Sequence, residues 1–146
     1  MKKIINGKVY DTTTAELLGS WSSPGSVTNF SHFSESIYRK RTGEFFLHGE
    51  GGPASRYAVQ IGQNNWRGGE KITPLSWDDA RAWVESHLDA EDYERIFGPV
   101  SEDGSRVAVN LSISASSLEL ARRAAAQSGV SLSSYIMSLI LEANKC

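Results

Sequence analysis

Cysteine is almost missing from this chain: a single residue, Cys146, stands at the end of 146. A lone thiol can close no disulfide within the chain and offers no Cys-x-x-Cys pair to zinc, so a reducing, cytoplasmic setting is expected. Long apolar runs are missing as well. No stretch approaches the roughly 20 apolar residues a membrane-spanning helix needs, and the opening Met1-Lys-Lys-Ile-Ile-Asn-Gly7 turns too soon for a secretory signal. No membrane partner is expected. The three histidines, His32, His48 and His87, are scattered without a His-Glu-x-x-His spacing, which leaves neither a metal nor a cofactor to expect. Neither sign of charge dominates, at 15 basic against 17 acidic residues, and a 40% hydrophobic content is ordinary for a globular chain.

Enzyme chemistry has little to stand on. His48 is followed by Gly49-Glu50-Gly51-Gly52, and Glu50 has the chemistry of a base or ligand. The run fits neither a Walker loop nor Gly-x-Gly-x-x-Gly, both of which need a strand-to-helix context. Cys146 has no identifiable base beside it. A non-enzymatic protein with no small-molecule substrate is therefore expected.

What is present is concentrated near the C-terminus. Val107, Val109, Leu111 and Ile113 alternate with Ala108, Asn110 and Ser112, the period-two pattern of a strand with one apolar face. The period then becomes helical through Leu118, Ala121, Ala124 and Ala125, and Gly129 ends that helix. Ser131 is a natural N-cap for a second helix, whose apolar stripe runs through Leu132, Tyr135, Ile136, Leu139, Ile140 and Ala143. One strand and two helices in about forty residues cannot bury their apolar faces alone, so a second copy is expected.

This order, spacing and Gly-x-Ser turn resemble the ribbon-helix-helix family, over about a quarter of the chain. The resemblance implies a homodimer in which two strands pair antiparallel and the ribbon enters the major groove of double-stranded DNA, here at the protein's own promoter. It places Arg106, Ala108, Asn110 and Ser112 toward the bases. The backbone at Ser131, Leu132 and Ser133 would lie on a phosphate. Val107, Val109, Leu111, Ile113, Tyr135, Ile136 and Leu139 would form the dimer interface. Asn110 suits adenine, Ser112 suits either kind of base, and Ala108 offers a methyl contact to thymine. Family members usually carry larger polar residues on the ribbon. From Arg106 onward there are four basic residues (Arg106, Arg122, Arg123, Lys145) and two acidic (Glu119, Glu142), a modest +2. The competing reading is a ribbon that serves only to dimerise.

A linker is expected over 99–105, where Gly, Pro, Ser and acids cluster around it, leaving residues 1–98 as a separate module. Asn6-Gly7 predicts a type I′ hairpin, and Thr42-Gly43 a second one between Ser36 and His48. Thr12 to Leu18 is read as a short helix, and Tyr57–Ile61 and Lys71–Leu75 as strands. Ser76 starts a helix in Ser-x-x-Asp form, followed by a shorter helix over 90–97. The aromatic residues Trp21, Phe30, Phe33, Phe45, Phe46, Trp77 and Trp83 are read as core. Arg39, Lys40 and Arg41 mark a basic edge, read as solvated. Between Ser76 and Asp103 lie nine acidic and two basic residues, a net of −7. Asp78, Asp79, Glu85, Asp89, Glu91 and Asp92, with Trp66 in its Gly-rich loop, are the candidate contacts for a basic protein partner.

The segments Lys3–Thr12, Tyr38–Gly52, Ile72–Ser76 and Tyr93–Gly98 resemble small proteins carried on phages and other mobile elements of gut bacteria, a size class that includes anti-CRISPR proteins. That resemblance implies a mobile-element context more than a chemistry; the first module is read as an effector, with a host CRISPR-Cas complex as its candidate target. The expected architecture is α+β: a small antiparallel sheet module with helices over 1–98, a linker over 99–105, and a dimerising ribbon-helix-helix over 106–146. An antitoxin whose first module neutralises a toxin is the alternative.

Overall fold

A computed structural model describes residues 1–146 apart from Ser101, Asp103, Ser105 and Cys146, so part of the expected linker and the lone thiol lie outside the described residues. The chain is mixed α and β and divides into two compact units, 1–102 and 103–146.

Unit 1 begins with a hairpin of β1 (Lys2–Ile5) and β2 (Lys8–Asp11). Its turn places Asn6 at φ 52 and Gly7 at φ 76, the two positive values that a type I′ turn requires. The main sheet has four antiparallel strands in the order β3-β4-β5-β8: β3 (Glu16–Ser22), β4 (Phe33–Arg39), β5 (Phe45–Gly51) and β8 (Gly69–Leu75). Between β5 and β8 the chain makes a separate small hairpin of β6 (Val59–Gly62) and β7 (Asn65–Arg67). Two helices follow, α1 (Trp77–His87) and α2 (Ala90–Phe97). Ser76 caps α1 by accepting a hydrogen bond from the Asp79 amide at 3.1 Å, and Asp89 caps α2 by accepting from that of Asp92 at 2.8 Å.

Alternation along the strands sorts side chains into two layers. Leu18, Ile37, Phe45 and Leu47 face α1 and α2 and pack on Ala80, Trp83, Val84 and Ile96. On the opposite face Phe46 and Ile72 are covered by Tyr10 of β2, with Tyr38 stacked on Phe46 at 5.2 Å between ring centroids. The helices therefore roof one face, and the β1–β2 hairpin closes part of the other.

Three expectations for this unit are corrected. No helix forms over Thr12–Leu18; that stretch turns and becomes the start of β3. The Asp11 carboxylate accepts from both the amide and the hydroxyl of Thr13, at 2.9 and 2.7 Å, an Asx turn that redirects the backbone, and the core takes Leu18 from an extended strand. Phe30 is 71% exposed and Trp77 54% exposed, so neither is core. Trp77 opens α1 and rests its ring edge on Phe97 instead, 5.3 Å between centroids. The expected strand at Tyr57–Ile61 starts two residues late, because Tyr57 is drawn inward to Glu35.

Unit 2 consists of α3 (Ala115–Ser128) and α4 (Leu132–Ala143), preceded by residues 106–113. Within the single chain no strand pairing is found for 106–113 among the described residues.

Phe46, fully buried beneath Tyr10 and Tyr38, carries much of the second layer. Phe46→Ala should destabilise unit 1 by about 3–5 kcal/mol, read as a lowered Tm in thermal unfolding followed by near-ultraviolet circular dichroism.

Candidate nucleic-acid interface

The geometry of unit 2 is set by three short-range signals. Ser114 caps α3 by accepting from the Ser117 amide at 3.2 Å, and Ser131 caps α4 by accepting from that of Ser134 at 3.1 Å. Between the helices Gly129 adopts the left-handed conformation at φ 71, and the Val130 amide reaches back to the Ala125 carbonyl at 3.1 Å. That pattern is a Schellman stop, which a side chain at position 129 would strain.

Little of the apolar surface so arranged is buried. Among the described residues of this unit Ala125 alone is buried, and α4 contains no buried residue although most of its side chains are apolar. Val109 is 76% and Leu111 69% exposed, and Val107, Ile113 and Leu139 also lie open. Tyr135 and Ile136 are half-buried. Residues 106–111 run beside α4 and leave a groove of about 720 Å³ floored by Ile136, Met137 and Ile140.

The candidate base contacts Arg106, Ala108, Asn110 and Ser112 are all exposed. At the start of α4 the Ser131 hydroxyl is committed: it accepts from the Ser134 amide and donates to the Ser134 hydroxyl at 3.0 Å. The amides of Leu132 and Ser133 occupy the first turn, where no helical acceptor exists, and the helix dipole makes that end electropositive. These two N–H groups belong to the backbone expected to lie on a phosphate, and no helical acceptor satisfies them.

In unit 1 the acidic residues read as partner contacts occupy particular helical positions. Asp78 and Asp79 fill the first turn of α1, Asp89 caps α2, and Glu91 and Asp92 fill its first turn. Each offsets the positive end of a helix dipole, so much of the local charge has a local structural role. Asp92 further pairs with Arg95 at 3.0 Å, and Asp78 lies 3.9 Å from Arg81. Glu85 is exposed in the last turn of α1, and Trp66 is 51% exposed on β7.

His48 pairs with Glu70, not Glu50: its Nε2 lies 2.9 Å from the Glu70 carboxylate, one strand over. Glu50 and Glu70 with His32 and Ser34 border a shallow cleft of about 460 Å³ at one end of the sheet. No group of three or more metal-ligating side chains occurs among the described residues.

The sequence reading missed Glu35. This carboxylate, 2% exposed in β4, accepts from the Trp83 indole at 3.1 Å and from the Tyr57 hydroxyl, and lies 3.6 Å from the Arg56 guanidinium. Tyr57 reaches it by lying across Gly49, where a Cβ would collide with the phenol ring. Burial first, and then the bond to Glu35, push the Tyr57 phenol well above its ordinary value. The sequence did hold a signal, since an acid at a core-facing position of the alternating Glu35-Ser-Ile37 run demands buried partners.

Against known proteins, the chain matches no family model, no curated protein and no solved structure.

Tyr57→Phe should lower stability by about 1.5–3 kcal/mol at neutral pH, the cost of removing one hydrogen bond to a buried charge. The unfolded phenol ionises near 10.0 while the folded one stays protonated, so its contribution is whole below pH 10 and is lost as pH rises further. The stability gap between wild type and Tyr57→Phe should therefore be flat to about pH 10 and narrow beyond it in urea titrations.

Proposed function

We propose that the chain is a homodimeric, ribbon-helix-helix-type DNA-binding protein that represses its own promoter. One observation supports this above the others: residues 107–113 present alternating apolar side chains with no strand partner among the described residues, beside an α4 whose apolar side chains are at most half-buried. A second copy satisfies both needs at once, pairing the two segments antiparallel and covering the apolar groove. Each Val, Leu or Ile so buried stabilises the assembly by about 1.5–3 kcal/mol.

Pairing of that kind fixes what faces outward. With Val107, Val109, Leu111 and Ile113 turned to the dimer core, the period of two turns Ala108, Asn110 and Ser112 away from it. Two symmetry-related Asn110 amides then read adenine edges, while the Leu132 and Ser133 amides of each copy hold flanking phosphates and fix the register. Small neighbours at 108 and 112 leave Asn110 as the main source of base discrimination.

Leu111→Glu should abolish the dimer in sedimentation velocity, because the two paired segments would bring charge into the shared core. Asn110→Ala should keep the dimer and lose about 1–3 kcal/mol of preference for upstream duplex over scrambled duplex in fluorescence anisotropy. An intact dimer with no preference in the wild type would reduce the paired segments to a dimerisation clip.

A further inference from the structure

We propose that the end of unit 1 formed by β1, β2 and the β4–β5 turn is a second, sequence-independent contact with the phosphate backbone of duplex DNA, which rests on the DNA-binding reading above. Five basic residues gather there. Lys2, Lys3 and Lys8 lie on the β1–β2 hairpin, and Lys40 and Arg41 on the turn that joins β4 to β5. Two contacts tie these pieces together: Lys8 Nζ meets the Glu44 carboxylate at 3.0 Å, and Lys40 Nζ stands 4.5 Å above the centre of the Tyr10 ring. The opposing acids at this end are Asp11 and Glu44, so it carries a net +3 in a chain whose total is −2.

The acids do not cancel the site. Glu44 is shared between Lys8 and Lys40, the second at 3.7 Å, and also accepts from the Thr42 hydroxyl at 3.2 Å. Asp11 is engaged by Thr13, and its carboxylate is held below the usual range chiefly by those bonds, with Lys2 adding to the effect. Among the described residues no carboxylate lies within ion-pair distance of Lys2, Lys3 or Arg41. Arg41 and Lys40 border a recess of about 280 Å³ together with Asp11, Thr14 and Thr42. The Arg41 guanidinium and the Lys40 ammonium are donors suited to a phosphate group, and the turn holds them in place: the Lys40 amide donates to the Glu44 carbonyl at 2.8 Å and the Gly43 amide to that of Lys40 at 2.9 Å.

Unit 2 supplies only +2 from residue 106 onward, too little to neutralise many phosphates. Because the units are covalently joined, any duplex held by unit 2 presents its backbone to unit 1 at raised local concentration. A contact of this type adds affinity and salt dependence without adding sequence preference.

The test is anisotropy of the full chain with upstream and scrambled duplexes between about 50 and 200 mM salt, comparing wild type, Asn110→Ala and the triple variant Lys2→Gln, Lys3→Gln, Arg41→Gln. The three side chains are exposed, and an unchanged melting curve confirms the fold. The triple variant should weaken binding to both duplexes by the same factor and lower the salt slope by roughly one for each phosphate it no longer neutralises, with the upstream preference intact. An affinity and slope equal to wild type would overturn the proposal, and so would displacement of polyglutamate as readily as DNA, which would mark a site for acidic proteins. Failure of base reading shows separately, as no upstream preference and a silent Asn110→Ala, whatever the triple variant does.

Discussion

Apolar surface has to leave water, and the two units meet that demand in different ways. Eleven of the twelve buried apolar residues among those described belong to unit 1, where a sheet with helices on one face and a hairpin on the other closes two layers of core. Unit 2 has the remaining one. Its helices are capped and stopped by local signals, yet among the described residues most of the apolar side chains along them stay exposed or only half-buried. Caps and turn signals decide where a helix begins and ends, but most helical stability comes from packing. The proposed second copy would supply the packing surface that this segment lacks.

Within unit 1 the most constrained point is the Glu35 carboxylate. Burying a charge costs several kcal/mol unless it is paired and hydrogen-bonded, and here the indole of Trp83, the phenol of Tyr57 and the guanidinium of Arg56 meet that need from two separate parts of the chain. The arrangement ties α1 and the segment after β5 to the centre of the sheet. It also explains why the backbone at Gly49 is bare: the Tyr57 ring occupies the space a side chain would take. Removing one member leaves the buried carboxylate under-satisfied, so the group acts as a unit.

Legibility in the sequence follows the range of the interactions involved. Asn6-Gly7, Thr42-Gly43, Ser76, Ser131 and Gly129 act over four residues or fewer, and the structure uses each as local chemistry predicts. Thr12–Leu18 misled because its apolar spacing suits a helix, whereas Leu18 is claimed by a sheet core assembled from distant strands. Phe30 and Trp77 misled for the opposite reason, since bulk alone does not place a side chain inside. Glu35 and its partners are separated by up to 48 positions, and no local pattern announces such a meeting. In unit 2 the alternation over 107–113 is plain, yet these residues form no strand among the described residues, and the proposed pairing would need a second chain.

Pairing between chains also governs how the proposed repressor would operate. A base-reading surface built by pairing two copies does not exist in the monomer, so dimerisation, burial of the apolar groove and competence to bind DNA become one linked equilibrium. Occupancy of an operator then rises steeply with protein concentration at low levels, because two chains must meet before either can read a base. A ribbon with small side chains and little charge suits this regime. Weak phosphate attraction by unit 2 itself would leave base contacts at Asn110 to count only where the sequence fits. The additional charge proposed for unit 1 would raise affinity for DNA as a polymer without altering which sequence is preferred. Affinity and specificity would then be set in different units of the same chain and could be adjusted independently.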